Sequence, residues 1–223
     1  MEIVGESGNS RQAVERYISS TAYGLIETGE LKPGGSTKEV TCLIIRMHGM
    51  FRAFSNPGDD TLFVNAFGKE SFPIIYGKDL DGEIVRTFSQ DAVEIVFGLT
   101  AAVPNHPLQA VTTALALRDS LKGFKDVTSD IEITMGVNTG EAFCGYVGSP
   151  ERFDYGAYGD TIRIGHILAE SAHNIGYDIL IGETTYSALR RQIAVRGSQR
   201  LAVPRGEPIL GYRLEGITIS TPH

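Results

Sequence analysis

With 223 residues, 42% of them hydrophobic and 21% charged, the chain has the composition of one sizeable globular domain plus a small appendage. A net charge of −7, with no Lys/Arg run, argues against nucleic acid or an anionic membrane surface as partner. Cys42 and Cys144 stand alone in apolar stretches, which speaks against a disulfide framework, and no apolar run nears the ~20 residues of a membrane span. With no secretory h-region at the N-terminus either, the expected location is cytoplasmic, in this chain or in a larger protein of which it is part.

Residues 10–27 predict a helix, because Val14, Tyr17, Ile18 and Leu25 fall on one stripe and Gly29 and Pro33 stop it. A lone amphipathic helix ahead of a domain serves as a packing or dimerising arm, or as a connector from an upstream sensor. Residues 40–45 read as a buried strand ending on Arg46, followed by a loop in which Gly49 allows close backbone approach. Residues 60–76 look helical, although Gly68 and Pro73 interrupt the pattern. Residues 82–88 and 92–97 form two β runs around Ser89-Gln90-Asp91, the pattern of a hairpin. Pro107 opens a helix reaching Leu121, with Ala110, Ala114 and Leu117 on one face. Strands are expected at 131–137 and 142–147, with Asn138-Thr-Gly-Glu141 as the turn of a second hairpin. A polar loop (149–154), a Tyr/Gly segment (155–159) and a helix from Asp160 follow, with Ile164, Ile167, Leu168 and Ala172 striping that helix. Strands at 177–181, 201–203 and 209–214 and a short helix at 183–190 close the chain. The order β-α-β-β-α-β is that of an α+β, ferredoxin-like core, here with a C-terminal α/β extension.

Phosphate-loop, dinucleotide and nucleophile-elbow signatures are missing. The five histidines never pair at i, i+4, so a zinc site is not expected, and His166 and His173 read as ordinary helix residues. The informative stretch is Gly136-Val-Asn-Thr-Gly-Glu-Ala-Phe-Cys-Gly145-Tyr-Val-Gly-Ser149, continued by Arg152-Phe-Asp-Tyr155 and Gly159-Asp-Thr-Ile162. Glycine turns feeding a helix N-terminus favour anionic ligands, but only weakly on their own.

As a pattern this stretch resembles the class III nucleotide cyclase domain, the adenylate/guanylate cyclase family. The resemblance extends to Glu15-Arg-Tyr-Ile-Ser19, Leu31-Lys-Pro-Gly-Gly35, Phe88-Ser-Gln-Asp91 and Glu207-Pro-Ile-Leu-Gly-Tyr212, covering about residues 12–215. It implies a connector arm over residues 1–35, a cyclase homology domain over 36–216 and a tail over 217–223. It also implies a reaction in which the ribose 3′-hydroxyl of a nucleoside triphosphate attacks its own α-phosphate, releasing pyrophosphate, with two divalent ions held by two aspartates. Active sites in the family form between two subunits, so a homodimer, or a heterodimer with another cyclase-like domain, is implied as well.

Residue by residue, the chain departs from that pattern. One metal aspartate is kept as Asp91; the other is replaced by Arg46, which is expected to pair with Asp91 rather than leave room for metal. The phosphate-loop threonine aligns with Phe51, although Gly49 is kept. The two base-reading positions are Thr87 and Gly156. The asparagine and arginine that follow Gly159-Asp160 align with Arg163 and Ile167. The expected function is therefore a cyclase-like domain of impaired catalysis, acting in regulation or dimerisation and needing no cofactor. The alternative is an active cyclase using Mg²⁺ or Mn²⁺ on an atypical, possibly non-purine triphosphate.

Overall fold

The computed structural model describes residues 34–50, 58–77, 82–89, 91–99, 104–122, 131–149, 151–204 and 206–218, with 23, 24 and 27–29 besides. The helix expected over residues 10–27 lies almost wholly outside the described residues. Chain order is β1 (Gly34–His48), α1 (Asp59–Ile75), β2 (Gly82–Ser89), β3 (Ala92–Phe97), α2 (His106–Ser120), β4 (Glu132–Ser149), β5 (Arg152–Tyr158), α3 (Asp160–Asn174), β6 (Ile179–Gly182), α4 (Glu183–Leu189), β7 (Ile193–Leu201) and β8 (Ile209–Ile217). These strands form one sheet ordered β2-β3-β1-β4-β6-β8-β7, with β5 added to β4. The expected ferredoxin-like arrangement and the β2–β3 hairpin are both present.

Alternation along β1 builds two layers. Leu43, Ile45 and Met47 join Phe63 and Phe67 of α1 and Val111, Ala114 and Leu117 of α2 in the larger core. Cys42 and Ile44 point the other way, against Ile162 and Ala169 of α3. Arg46 and His48 continue that second row, so β1 delivers them to the α3 side. Burial drives the Cys42 thiol up to about 12, which makes it an inert core group that donates to the Thr161 carbonyl oxygen at 3.3 Å.

Three expectations about the strands are corrected. Residues 138–141 are no turn: β4 runs unbroken from Glu132 to Ser149 beside the whole of β1, from Gly34↔Tyr146 to His48↔Glu132. Asn138 and Thr139, which imitate a turn, are buried and satisfied from elsewhere. Asn138 Nδ2 donates to the Thr161 carbonyl oxygen at 3.1 Å, and the Thr139 hydroxyl meets those of Thr41 and Thr185 at 2.8 and 2.9 Å. The second hairpin instead joins β4 to β5 through Ser149↔Arg152, where a polar loop was expected. β7 begins at Ile193 rather than near Leu201, its polar residues being those of an edge strand with a register shift. Pro73, expected to interrupt α1, sits in its last turn, where little helix remains to break.

The hydroxyl chain Thr185–Thr139–Thr41 ends on His106 Nδ1, 2.8 Å from the Thr41 oxygen, while His106 Nε2 lies 3.6 Å from Glu39. Carboxylate, imidazole and hydroxyl so arranged have the form of a nucleophilic triad. Thr41 is fully buried, however, and no substrate reaches it. This chain is a structural network.

Candidate functional site

Two backbone features put Arg46 beside Asp91. In the β1–β3 register Arg46 opposes Ala92, and the Met47 amide donates to the Asp91 carbonyl oxygen at 2.9 Å, tying the strand end to the hairpin. Asp91 itself is left-handed, with φ 78°, a conformation that aspartate tolerates in tight turns better than most residues. Its carboxylate therefore stands at the sheet end and accepts from Arg46 Nη2 at 3.0 Å. The pairing expected from the sequence is thus made.

The second arm of the same guanidinium reaches α3. Arg46 Nη1 lies 3.3 Å from Glu170 Oε2, so one cation bridges two carboxylates on different elements. Side-chain exposure is 23% for Arg46, 19% for Asp91 and 46% for Glu170, which makes the Asp91 arm the better shielded. Sequence reasoning missed Glu170. The available signal was helical: Arg163, Ile167 and Glu170 are spaced i, i+4, i+7 and share one side of α3.

Beyond Glu170 the cluster continues in imidazoles. His48 Nδ1 is 3.9 Å from Glu170 Oε2, and its Nε2 meets the Thr134 hydroxyl at 2.8 Å. That hydroxyl already donates to the Ala169 carbonyl oxygen, so His48 Nε2 carries the proton and Nδ1 is left basic. The His48 ring stacks on His173 with centroids 3.9 Å apart, and His173 Nδ1 lies 3.0 Å from Glu132. His166 pairs with the buried Glu94 at 3.0 Å. None of these histidine contacts follows a sequence spacing, since each joins two different elements.

Burial, and next the neighbouring His173, hold His48 below the ordinary imidazole value; burial does the same for His106, against the pull of Glu39. The unfolded chain takes up these protons near pH 6.5, and the folded chain only at lower pH. Their neutral forms therefore contribute stability that is complete above about pH 6.5 and is lost on acidification toward the folded values. The melting temperature should fall between pH 7.5 and 5.5, with a shallower fall in His106→Gln; a melting temperature that rises on acidification contradicts this.

Other predicted positions lie apart from Arg46. Asp160 opens α3 and accepts from Arg163 Nε at 3.0 Å, both side chains being exposed. Arg163 is seven residues, about 10 Å of helix, from Glu170. Ile167 between them is half-buried and has no hydrogen-bonding group. Gly156 is buried on β5 opposite Gly145, and a Cβ there meets nothing nearer than the Tyr158 ring system at 3.6 Å. Packing does not demand glycine at that position, so its lack of a side chain simply leaves space. Gly49 turns the chain with φ 87°. Phe51 lies outside the described residues; Thr87 is in β2, and its side chain is likewise outside them.

A divalent ion does not fit this arrangement. Magnesium needs several hard oxygen ligands and little positive charge nearby, and here a guanidinium already occupies both local carboxylates. Among the described residues, no group of three His, Cys, Asp or Glu side chains could hold a metal.

The family model for the adenylate and guanylate cyclase catalytic domain matches residues 82–216. An uncharacterized protein of Mycobacterium tuberculosis is 25% identical over 212 residues, which are 88% of this chain and 38% of that protein. The chain thus spans about two fifths of the length of that curated relative. Among solved structures, the adenylyl cyclase CyaB from P. aeruginosa superposes with a TM-score of 0.71 at 23% identity, over 84% of this chain and 98% of that one. A non-canonical dimeric guanylyl cyclase domain of the RhoGC fusion protein from the aquatic fungus Blastocladiella emersonii gives 0.66 at 21% identity, over 82% and 99%. At these identities the solved structures speak for the fold alone. With more than half of the chain matched by the family model, the chain belongs to the adenylate and guanylate cyclase catalytic-domain family.

Proposed function

We propose that this is a cyclase-type domain that no longer cyclises and acts as a regulatory or dimer-forming part of a larger signalling protein. The observation that carries the proposal is Arg46, which stands where the family resemblance implies a metal-binding aspartate and whose two guanidinium arms engage Asp91 and Glu170. Two-metal chemistry needs anionic ligands on both ions, and a fixed cation opposes that charge. The second half of the site agrees: Ile167 offers no donor, Gly156 no side chain, and the Arg163 Nε is engaged with Asp160.

Dimerisation rests on the likeness to a guanylyl cyclase domain described as dimeric, and a larger parent protein on the length of the mycobacterial relative. In this reading residues 36–216 are the domain, residues 1–35 an arm toward an upstream sensor and residues 217–223 a tail. The test is to incubate purified chain with each of the four ribonucleoside triphosphates and Mn²⁺, then look for cyclic monophosphate by chromatography. No product is expected from any of them; steady turnover of even one establishes the active-cyclase alternative instead.

A further inference from the structure

The acidic net charge hides a strong separation of charge. Residues 190–213 contain Arg190, Arg191, Arg196, Arg200, Arg205 and Arg213 against one acid, Glu207. Six cations less one anion give that stretch +5, so the rest of the −7 chain carries −12. Only Arg190 and Arg191 are adjacent in sequence, which is why no basic run stands out there. Four of them lie on β7 or just before it.

Among the described residues β7 ends the sheet order and is bonded to β8 on one side only. Arg190, Arg191, Arg196 and Arg200, on this strand or just before it, are all exposed, and among the described residues none of the four has an ion-pair partner. Edge strands do carry charge to deter strand-on-strand aggregation, and the register shift near Gly197 (φ 91°) serves the same end. That accounts for Arg196 and Arg200 but not for Arg190 and Arg191, which precede the strand. It also leaves Ser198–Leu201 in regular register with β8, from Ser198↔Tyr212 to Leu201↔Ile209, with no strand on its outer side among the described residues.

We propose that the β7 edge docks an extended acidic segment of a partner protein. The segment adds a strand along Ser198–Leu201, and its carboxylates are held by Arg190, Arg191, Arg196 and Arg200. A polypeptide is favoured over a phosphate backbone or a lipid surface because only a peptide can match the open N–H and C=O row as well as the charge. A second copy presenting its own β7 is disfavoured, since arginine then faces arginine. The surface lies on a different strand from the Arg46 cluster and does not depend on the loss of cyclase activity.

The test measures binding of a fluorescein-labelled peptide of alternating Glu and Thr by anisotropy, with a Lys/Thr peptide, phosphatidylglycerol vesicles and duplex DNA alongside. Saturable binding of the acidic peptide alone is expected, weakening as salt rises from 0.05 to 0.3 M. Arg190→Glu/Arg191→Glu and Arg196→Glu/Arg200→Glu each reverse two exposed charges and should cut affinity about ten-fold or more without changing the melting temperature. Amide exchange at Ser198–Leu201 should slow when peptide binds. No binding, binding by both double variants as tight as that of the wild-type protein, binding without slower exchange, or preference for vesicles or DNA each overturns the proposal.

Discussion

Gly136→Ala is expected to lower stability by about 3 kcal/mol or more, a drop of roughly 6–12 °C in melting temperature for a chain of this size. A Cβ at Gly136 would stand 2.2 Å from the Gly165 carbonyl oxygen and 2.5 Å from the Ala169 backbone nitrogen. Both obstacles are backbone, so no side chain can swing aside and α3 itself has to move. Gly165 is also tightly seated, against β1, since a Cβ there would be 2.6 Å from Cys42 Sγ and 2.9 Å from an Ile44 side-chain carbon. The paired glycines let α3 rest on β4 and β1 at a distance that larger residues forbid, and so bring Glu170 within reach of Arg46. Gly216→Ala is the control: nothing lies within 4 Å of its Cβ position, and a change within about 0.5 kcal/mol is expected. Urea unfolding of both variants measures the difference; a mild Gly136→Ala means that the helix seat is looser than described.

Arg46→Asp is expected to give the larger change in chemistry. It removes the shared cation from Asp91 and Glu170 and adds a third carboxylate. Without metal the variant should lose about 1–3 kcal/mol, a buried-pair loss discounted for partial exposure of the cluster. Mn²⁺ should then restore about 1–3 kcal/mol at ten to a hundred times its dissociation constant. The wild-type protein should gain nothing, since its carboxylates are already engaged. Thermal melts of both proteins with and without Mn²⁺ read this directly. The variant should still make no cyclic nucleotide, because Ile167 and Gly156 are unchanged. Equal metal response in the two proteins contradicts the placement of Arg46.

Much of this was legible in the sequence where the signal is local. The β2–β3 hairpin, α2, α3 and the Arg46–Asp91 pair all follow from short-range pattern or from motif position. What escaped depends on distant parts of the chain. Asn138-Thr-Gly-Glu141 has turn composition, yet it runs straight because β1 pairs with β4 from Glu132 to Tyr146 and because Thr41, Thr161 and Thr185 supply partners from 23 to 98 residues away in sequence. Glu170 and His48 act through contacts between α3 and β1, which no spacing along one element encodes. The arginines on and just before β7 are scattered in sequence, and nothing along the chain says that their strand takes the sheet edge.

The most direct measurement is an electron paramagnetic resonance titration of Mn²⁺ into the wild-type protein, read as loss of the free-ion signal. With the Arg46 guanidinium engaging Asp91 and Glu170, the signal should follow added Mn²⁺ as in buffer, and Arg46→Asp should remove it toward a stoichiometric end point. Stoichiometric loss of the free-ion signal in the wild-type protein, abolished by Asp91→Asn, contradicts the account, since it means that a metal and not the arginine holds the site.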